Sequence, residues 1–390
     1  MAAINYAKEY SRELAQSFPF VLYFGDLYST PNNGRYRWIN AKTIEIPSIV
    51  TTGRVSANRD TIGTPQRNYD NNWETKTLSN QRKWQTLVHP MDIDQTNMVA
   101  SIANITSTFN ETQKFPEMDA YTISKLYYDW TQQGMTADNT VLSTANILSV
   151  VDKLMLNMDN ALVPPTGRIL YCTFEVKGML KQVSDSKGML NLNSNTGTLS
   201  RGVSRIDEVK IVGVPATLLR TLYDFTTGYK TGAGAAQINM ALIHPLCVIT
   251  PVSYTFSQLD EPSAGSEGKY NYYEESFEDA FILNNRKHGL QFNISALNAL
   301  TVTSSAGTAS GDTALTVSPA KATGNSYVYN VGTTAHALPA YGELVTGTDW
   351  TAWDGSADIT AATGKKLVLV EIDGNNRAVG AGTATVTAHA

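Results

Sequence analysis

The stretch TTGRVSANRDTIGTPQRNYDNNWETKTLSNQRKWQ (51–85) decides how the rest of the chain is read. Its large apolar residues are Val55, Ile62, Tyr69, Trp73, Leu78 and Trp84, scattered among Asn, Thr, Arg and Asp. Ordering backbone costs roughly 1–2 kcal/mol per residue, whereas burying a large apolar side chain returns only roughly 1.5–3 kcal/mol. So few side chains cannot order so long a segment through contacts within their own chain, and a structureless loop of this length inside a domain is unusual. The segment is therefore either disordered or a long hairpin lying on another subunit. Its β-prone lead-in, TIEIPSI (43–49), and exit, KWQTLVH (83–89), favour the hairpin.

Composition narrows the class. The chain has 390 residues, room for two or three domains. Charged residues are only 17%, against about 25% in average domains, so uncharged polar groups cover much of the surface. The net charge of −5 has the wrong sign for binding nucleic acid through a general basic field. The most apolar run, 241–252, is broken by His244, Pro245 and Pro251 and is too short for a membrane helix. Lys8, Glu9, Arg12 and Glu13 stand where a secretory signal would carry its apolar core. Cys172 and Cys247 lack neighbouring Cys or His, which argues against a disulfide framework or a structural zinc and for a reducing compartment.

The first 296 residues mix helix and strand. A short amphipathic helix is expected over 4–15. Met98, Ile102, Ile105 and Phe109 form one helical stripe. Pro116 should break it and open a second helix, with Ile123, Leu126, Tyr127 and Trp130 buried and Gly134 as its end. A third helix is expected over 141–162, burying Ile147, Val150, Val151, Leu154, Met155 and Met158. Strands are expected at 168–174, 207–214, 238–244, 276–283 and 290–294. The repeated KGML at 177–180 and 187–190 reads as coincidence. Past 296 the chain turns Thr-, Ala- and Gly-rich, with short β-prone runs ALTVT (299–303), TALTVS (313–318), SYVYNV (326–331), KLVLVEI (366–372) and TATVTA (383–388). These predict a small immunoglobulin-like β-sandwich.

No catalytic, cofactor-binding or metal-ligating residues emerge. The run GYKTGAGAA (228–236) lacks the Gly-Lys-Ser/Thr of a phosphate-binding loop and reads as a flexible loop. GxSxG and HExxH motifs are absent from the sequence. His89 and His244 each precede a proline at a strand end, the position of a hydrogen-bonded structural histidine. Glu274, Glu275, Glu278 and Asp279 could be paired carboxylates for acid–base work, but the intervening Phe277, Ala280 and Phe281 make them a solvated or inter-subunit charged surface on a strand. Tyr127, Tyr128 and Trp130 stand at helical spacing with Leu126, a packed core rather than a stacking platform for bases.

Five segments carry a resemblance: RKWQTLVHPMDIDQTN (82–97), FPEMDAYTISKLYYDW (115–130), PPTGRILYCTFEV (164–176), INMALIHPLCVITPVSYTF (238–256) and LDEPSAGSEGKYNYYEESFEDAFIL (259–283). With the order of arm, polar hairpin, long helix, α/β centre and returning strands, they resemble the major capsid protein of tailed double-stranded-DNA phages, the Hong Kong 97 fold. The resemblance implies an α+β shell domain over 1–296. Its parts would be an N-arm (1–40), an extended E-loop (41–90), a peripheral domain (91–139 and 245–296) and an axial domain (140–244). An outward-facing immunoglobulin-like sandwich (297–390) would be an addition to that fold.

It further implies a structural protein, not an enzyme, without cofactor or membrane. Hexamers and pentamers would build an icosahedral head around double-stranded DNA held without sequence specificity. Assembly would take place in the bacterial host cytoplasm, with scaffolding, portal and decoration proteins as possible partners. Since no long charged extension precedes the arm, a removed segment or a separate scaffold is expected. The expected inter-subunit contacts are Ile44, Ile46, Tyr69, Trp73, Trp84, Glu274 and Glu275. The family's founding member joins a Lys to an Asn between subunits; here Lys76 and Lys83 are the lysines near the hairpin. The alternatives are an encapsulin-like compartment and, less favoured, a surface adhesin using the sandwich.

Overall fold

A computed structural model describes residues 22–56, 59–60, 63, 67–96, 101–186 and 203–390. The helix expected over 4–15, most of the N-arm, Ile62, Met98 and the second KGML lie outside the described residues. The chain divides into two compact units, Met1–Pro116 with Pro245–Arg286, and Glu117–His244 with Lys287–Ala390.

In the first unit, nine-residue strands Thr43–Thr51 and Tyr69–Thr77 pair antiparallel along their whole length, Thr43 opposite Thr77 and Thr51 opposite Tyr69. Arg37–Asn40 extends this sheet on the Thr43–Thr51 side. At the hairpin's base, Ile44 and Ile46 enter a core with Leu78, Ile249, Phe277, Phe281 and Leu283. Polar bonds fasten the same place. The Asp279 carboxylate accepts from Ser79 N (2.8 Å), Ser79 Oγ (3.1 Å) and Ala280 N (2.8 Å). Asp279 is therefore a buried pin and not the surface charge expected of it. Lys76 Nζ donates to Asn284 Oδ1 at 2.9 Å and pairs with Glu74 at 2.7 Å, so this lysine is engaged within its own chain.

A second sheet follows the order Val252–Asp260, Tyr270–Glu278, Gln81–Val88. The strand expected at 276–283 thus begins earlier, and Phe281–Ile282 forms a separate short strand after Asp279. Both sheets are anchored near the chain's start. Buried Asn32 donates through Nδ2 to Leu246 O (2.6 Å) and Val248 O (3.1 Å), and Asn33 Oδ1 accepts from Thr250 N (2.9 Å).

The long helix is not broken at Pro116. Ile102–Phe109 runs through a π-helical turn, Asn110–Lys114, into the helix Phe115–Gln132. A proline lacks the N–H donor and its ring collides with the carbonyl four residues back; the wider π turn ahead of Pro116 accommodates it without ending the helix. Gly134, at φ +78, closes the far end as expected.

The second unit centres on a sheet ordered Leu290–Ser295, Gln237–Ile243, Ile169–Thr173, Val209–Val214, Arg205–Ile206. Its neighbours pair antiparallel apart from the parallel Ile169–Thr173 and Val209–Val214. The helix Ile147–Asn160 packs on it through Ile147, Val150, Val151, Leu154 and Met158, the expected stripe on a shorter helix. A helix unforeseen in the sequence, Phe174–Ser186, leaves the end of strand Ile169–Thr173 directly and adds Val176, Leu180 and Val183 to the same core. Trp130 is fully buried, its Nε1 donating to Lys287 O at 3.1 Å and its ring edge-on to Phe292. His244 Nε2 lies 3.1 Å from Thr166 O, the structural role expected of it.

The C-terminal region is all β, consistent with the immunoglobulin-like expectation. A five-stranded sheet (Asn298–Ala299, Ala378–Thr385, Lys366–Ile372, Ser326–Gly332, Thr351–Trp353) faces a three-stranded one (Thr301–Ala306, Asp312–Ser318, Ile359–Thr360) across Tyr327, Trp353, Leu367 and Leu369. The last strand lies at Ala378–Thr385 instead of 383–388, because the turn after Ile372 is short. The strand KLVLVEI is buried on both faces, as a continuous apolar run requires. Its second face packs Val368, Val370 and Ile372 against Leu338, Val345 and Trp350. That covering segment also holds the glycine-rich run: Gly234 N donates to Leu338 O (3.3 Å), Tyr341 N to Ala235 O (2.9 Å), and the Arg220 guanidinium to Tyr341 O. The expected flexible loop is thus bonded in place.

One carboxylate ties the sheet of the second unit to its helices. Burial pushes the Asp138 carboxyl up, but bonds from Lys153, Asn293 and Thr140 outweigh it and hold it below its ordinary value. A lowered folded-state value stabilises the fold above the ordinary carboxylate range, near pH 4, and that stabilisation is lost as pH falls through the lowered value. Acid titration of stability, followed by circular dichroism, should therefore be shallower for Asp138→Asn than for the parent below about pH 4.

Candidate functional site

The hairpin is the part of the molecule whose side chains are least accounted for by the chain itself. Residues directly opposite in an antiparallel pair share a face. One face carries Ile44 opposite Lys76, Ile46 opposite Glu74, Ser48 opposite Asn72 and Val50 opposite Asp70. Its inner end is the buried base; its outer end is polar. The other face carries Pro47 opposite Trp73, Ile49 opposite Asn71 and Thr51 opposite Tyr69. Ile49, Tyr69 and Trp73 there remain 67%, 54% and 41% exposed. Arg37 stiffens this face, its guanidinium 4.1 Å from the Trp73 ring centroid and bonded to Glu45 at 2.8 and 3.0 Å.

The seven residues expected at subunit contacts therefore occupy different places. Ile44 and Ile46 point into the chain's own core, so their side chains are not offered to another copy. Tyr69 and Trp73 share the exposed hairpin face. Trp84 and Glu274 stand opposite each other on the second sheet. There Trp84 stacks on Phe109 at 3.9 Å between centroids, and Lys114 reaches Glu274 at 3.0 Å, both from the long helix. Tyr272 completes that face; burial first, and then its bond to Glu274, push its hydroxyl up to about 12. Glu275 lies on the opposite sheet face, beside Lys83, accepting from the Tyr273 hydroxyl at 2.6 Å and from the Gln81 amide. The bonds from Tyr273 and Gln81 hold its carboxyl below the ordinary range.

Pro47, Ile49 and Arg37 were missed in the sequence. The alternation in TIEIPSIVT separates the two faces, but which one stays open depends on the core formed by Phe277, Phe281 and Leu283, far along the chain. Among the described residues no group of His, Cys, Asp and Glu could hold a metal ion.

Solved structures share this architecture. A structure of Mycobacterium phage Che8 superposes with a TM-score of 0.50 at 14% identity, covering 75% of this chain and 98% of that one. The mature capsid of bacteriophage PhiM1 gives 0.54 at 11% identity, covering 74% and 91%. The head of Helicobacter pylori bacteriophage KHP40 gives 0.50 at 13%, covering 74% and 94%. The chain has a tailed-phage capsid fold. Because three quarters of this chain account for nearly all of each phage chain, the capsid fold here carries additional sequence. Residues 305–389 match the S-layer protein SbsC C-terminal domain, and this part coincides with the all-β region. No curated protein matches the chain by sequence.

The two tryptophans should separate in the unassembled subunit. Trp84→Ala removes a stacked, half-buried ring and should destabilise by about 1–3 kcal/mol. Trp73→Ala should change stability by no more than about 1 kcal/mol. Denaturant titration of both variants measures the difference.

Proposed function

We propose that this chain is the major capsid protein of a tailed double-stranded-DNA phage. Many copies assemble as hexamers and pentamers into an icosahedral head that encloses the genome. The observation that carries the reading is the open hairpin face of Pro47, Ile49, Tyr69 and Trp73, which repeats on every copy and needs a neighbour to cover it. The capsid fold supports the same reading.

The mechanism is geometric. An identical surface meeting a complementary one on the next copy forms a ring when the rotation closes, and each weak contact gains strength from the others in a closed shell. The role is structural, not enzymatic. The DNA would be held without sequence specificity, and a near-neutral chain suits a container whose contents must later leave. The shell parts would follow the division into N-arm, E-loop, peripheral and axial domains, with assembly in the host cytoplasm and the virion as final location. The all-β region would face outwards and bind surface glycans or proteins weakly but in many copies.

Electron microscopy of the expressed chain tests this. Closed shells of ring-shaped capsomers are expected, alone or with a co-expressed scaffold; a monodisperse monomer under both conditions would overturn the reading. Trp73→Ala should reduce particle yield several-fold while leaving the unassembled subunit folded, measured by sedimentation and thermal melting.

A further inference from the structure

The two ribbons of the first unit end in tips of opposite charge. The hairpin tip, 52–68, contains Arg54, Arg59 and Arg67 against a single carboxylate, Asp60. All three arginines are exposed, and Val55 beside them is 91% exposed. The second sheet ends in the turn 261–269, and around it lies an open concavity of 860 Å³. Asp260, Glu261 and Glu267 line it against one cation, Lys269, which Glu267 already neutralises at 3.1 Å. Leu87 and Leu259 give it an apolar floor, 59% and 43% exposed. A basic tip with an apolar residue at its centre thus matches an acidic concavity with an apolar base.

We propose that this concavity is the socket for the hairpin tip of a second copy of the chain. Arg54 and Arg59 would face Asp260 and Glu261, and Val55 would lie over Leu87 and Leu259. The proposal rests on the assembly reading above and adds to it the identity of the receiving surface. Topology favours a second copy over the chain's own hairpin. Strand Tyr69–Thr77 runs from tip to base, and only residues 78–80 separate it from Gln81–Val88, which runs from base to the far end. At about 3.3 Å per residue each tip stands roughly 25–30 Å along its ribbon from that shared base. The ribbons belong to different sheets, with no ladder joining them.

Charge complementarity of this kind selects partner and register, and like charges placed together are strongly disfavoured. It is also screened by salt when exposed.

Two charge reversals test the proposal in the full-length chain, one in the socket (Asp260→Lys with Glu261→Lys) and one in the tip (Arg54→Glu with Arg59→Glu). Each alone should raise the protein concentration needed for particle formation by roughly tenfold or more, without changing the melting temperature of the unassembled subunit. Combining all four substitutions should restore assembly. If parent particles form and either reversal assembles like the parent, the socket is wrong while the shell reading stands. If the four-fold variant is not rescued, or if the reversals lower the subunit's own melting temperature equally, the contact is not a pairing between copies. If the parent forms no particles under any condition, it is the shell reading that falls.

Discussion

A two-stranded ribbon cannot stabilise itself in water, and the rest of this molecule is arranged around that constraint. The ribbon formed by Thr43–Thr51 and Tyr69–Thr77 is fastened only at its base. There Ile44 and Ile46 enter the core with Phe277 and Phe281, and Asp279 holds Ser79. Beyond the base, one face is polar and the other keeps Ile49, Tyr69 and Trp73 open. The chain provides a strong root and leaves the covering of the blade to something else.

The same economy governs the second sheet. One of its faces is completed within the chain, where Phe109 and Lys114 of the long helix meet Trp84 and Glu274. That contact explains why a π turn is retained ahead of Pro116: the helix remains one continuous element on both sides of the proline. The other face, with Glu275, Lys83 and Tyr273, keeps only local bonds. The all-β region is built differently, with both faces of its central strand covered and its covering segment bonded to Gly234 and Ala235.

Much of this was legible in the residues. The stripe Ile147, Val150, Val151, Leu154 and Met158 identifies its helix, because burial on one helical face has a period that sequence displays directly. The unbroken run KLVLVEI announces a strand covered on both sides, and the apolar poverty of 51–85 announces a ribbon in need of a partner. What escaped reading depends on distant residues. Ile44 and Ile46 were expected at a subunit contact, yet Leu78, Ile249 and Phe277 enclose them. Asp279 reads as one more surface acid until Ser79, two hundred positions earlier, is brought to it. The helix Phe174–Ser186 hides because its apolar residues follow a strand without any turn signal between them.

Amide hydrogen exchange across residues 43–77, compared between the unassembled subunit and purified particles, tests the central claim most directly. The account requires amides at the base, near Ile44 and Ile46, to be protected in both states. Those near Ile49, Tyr69 and Trp73 should exchange rapidly in the subunit and slow by at least roughly a hundredfold in the particle. Equal protection of the outer strands in both states would show that the ribbon is ordered by its own chain, and would contradict the account.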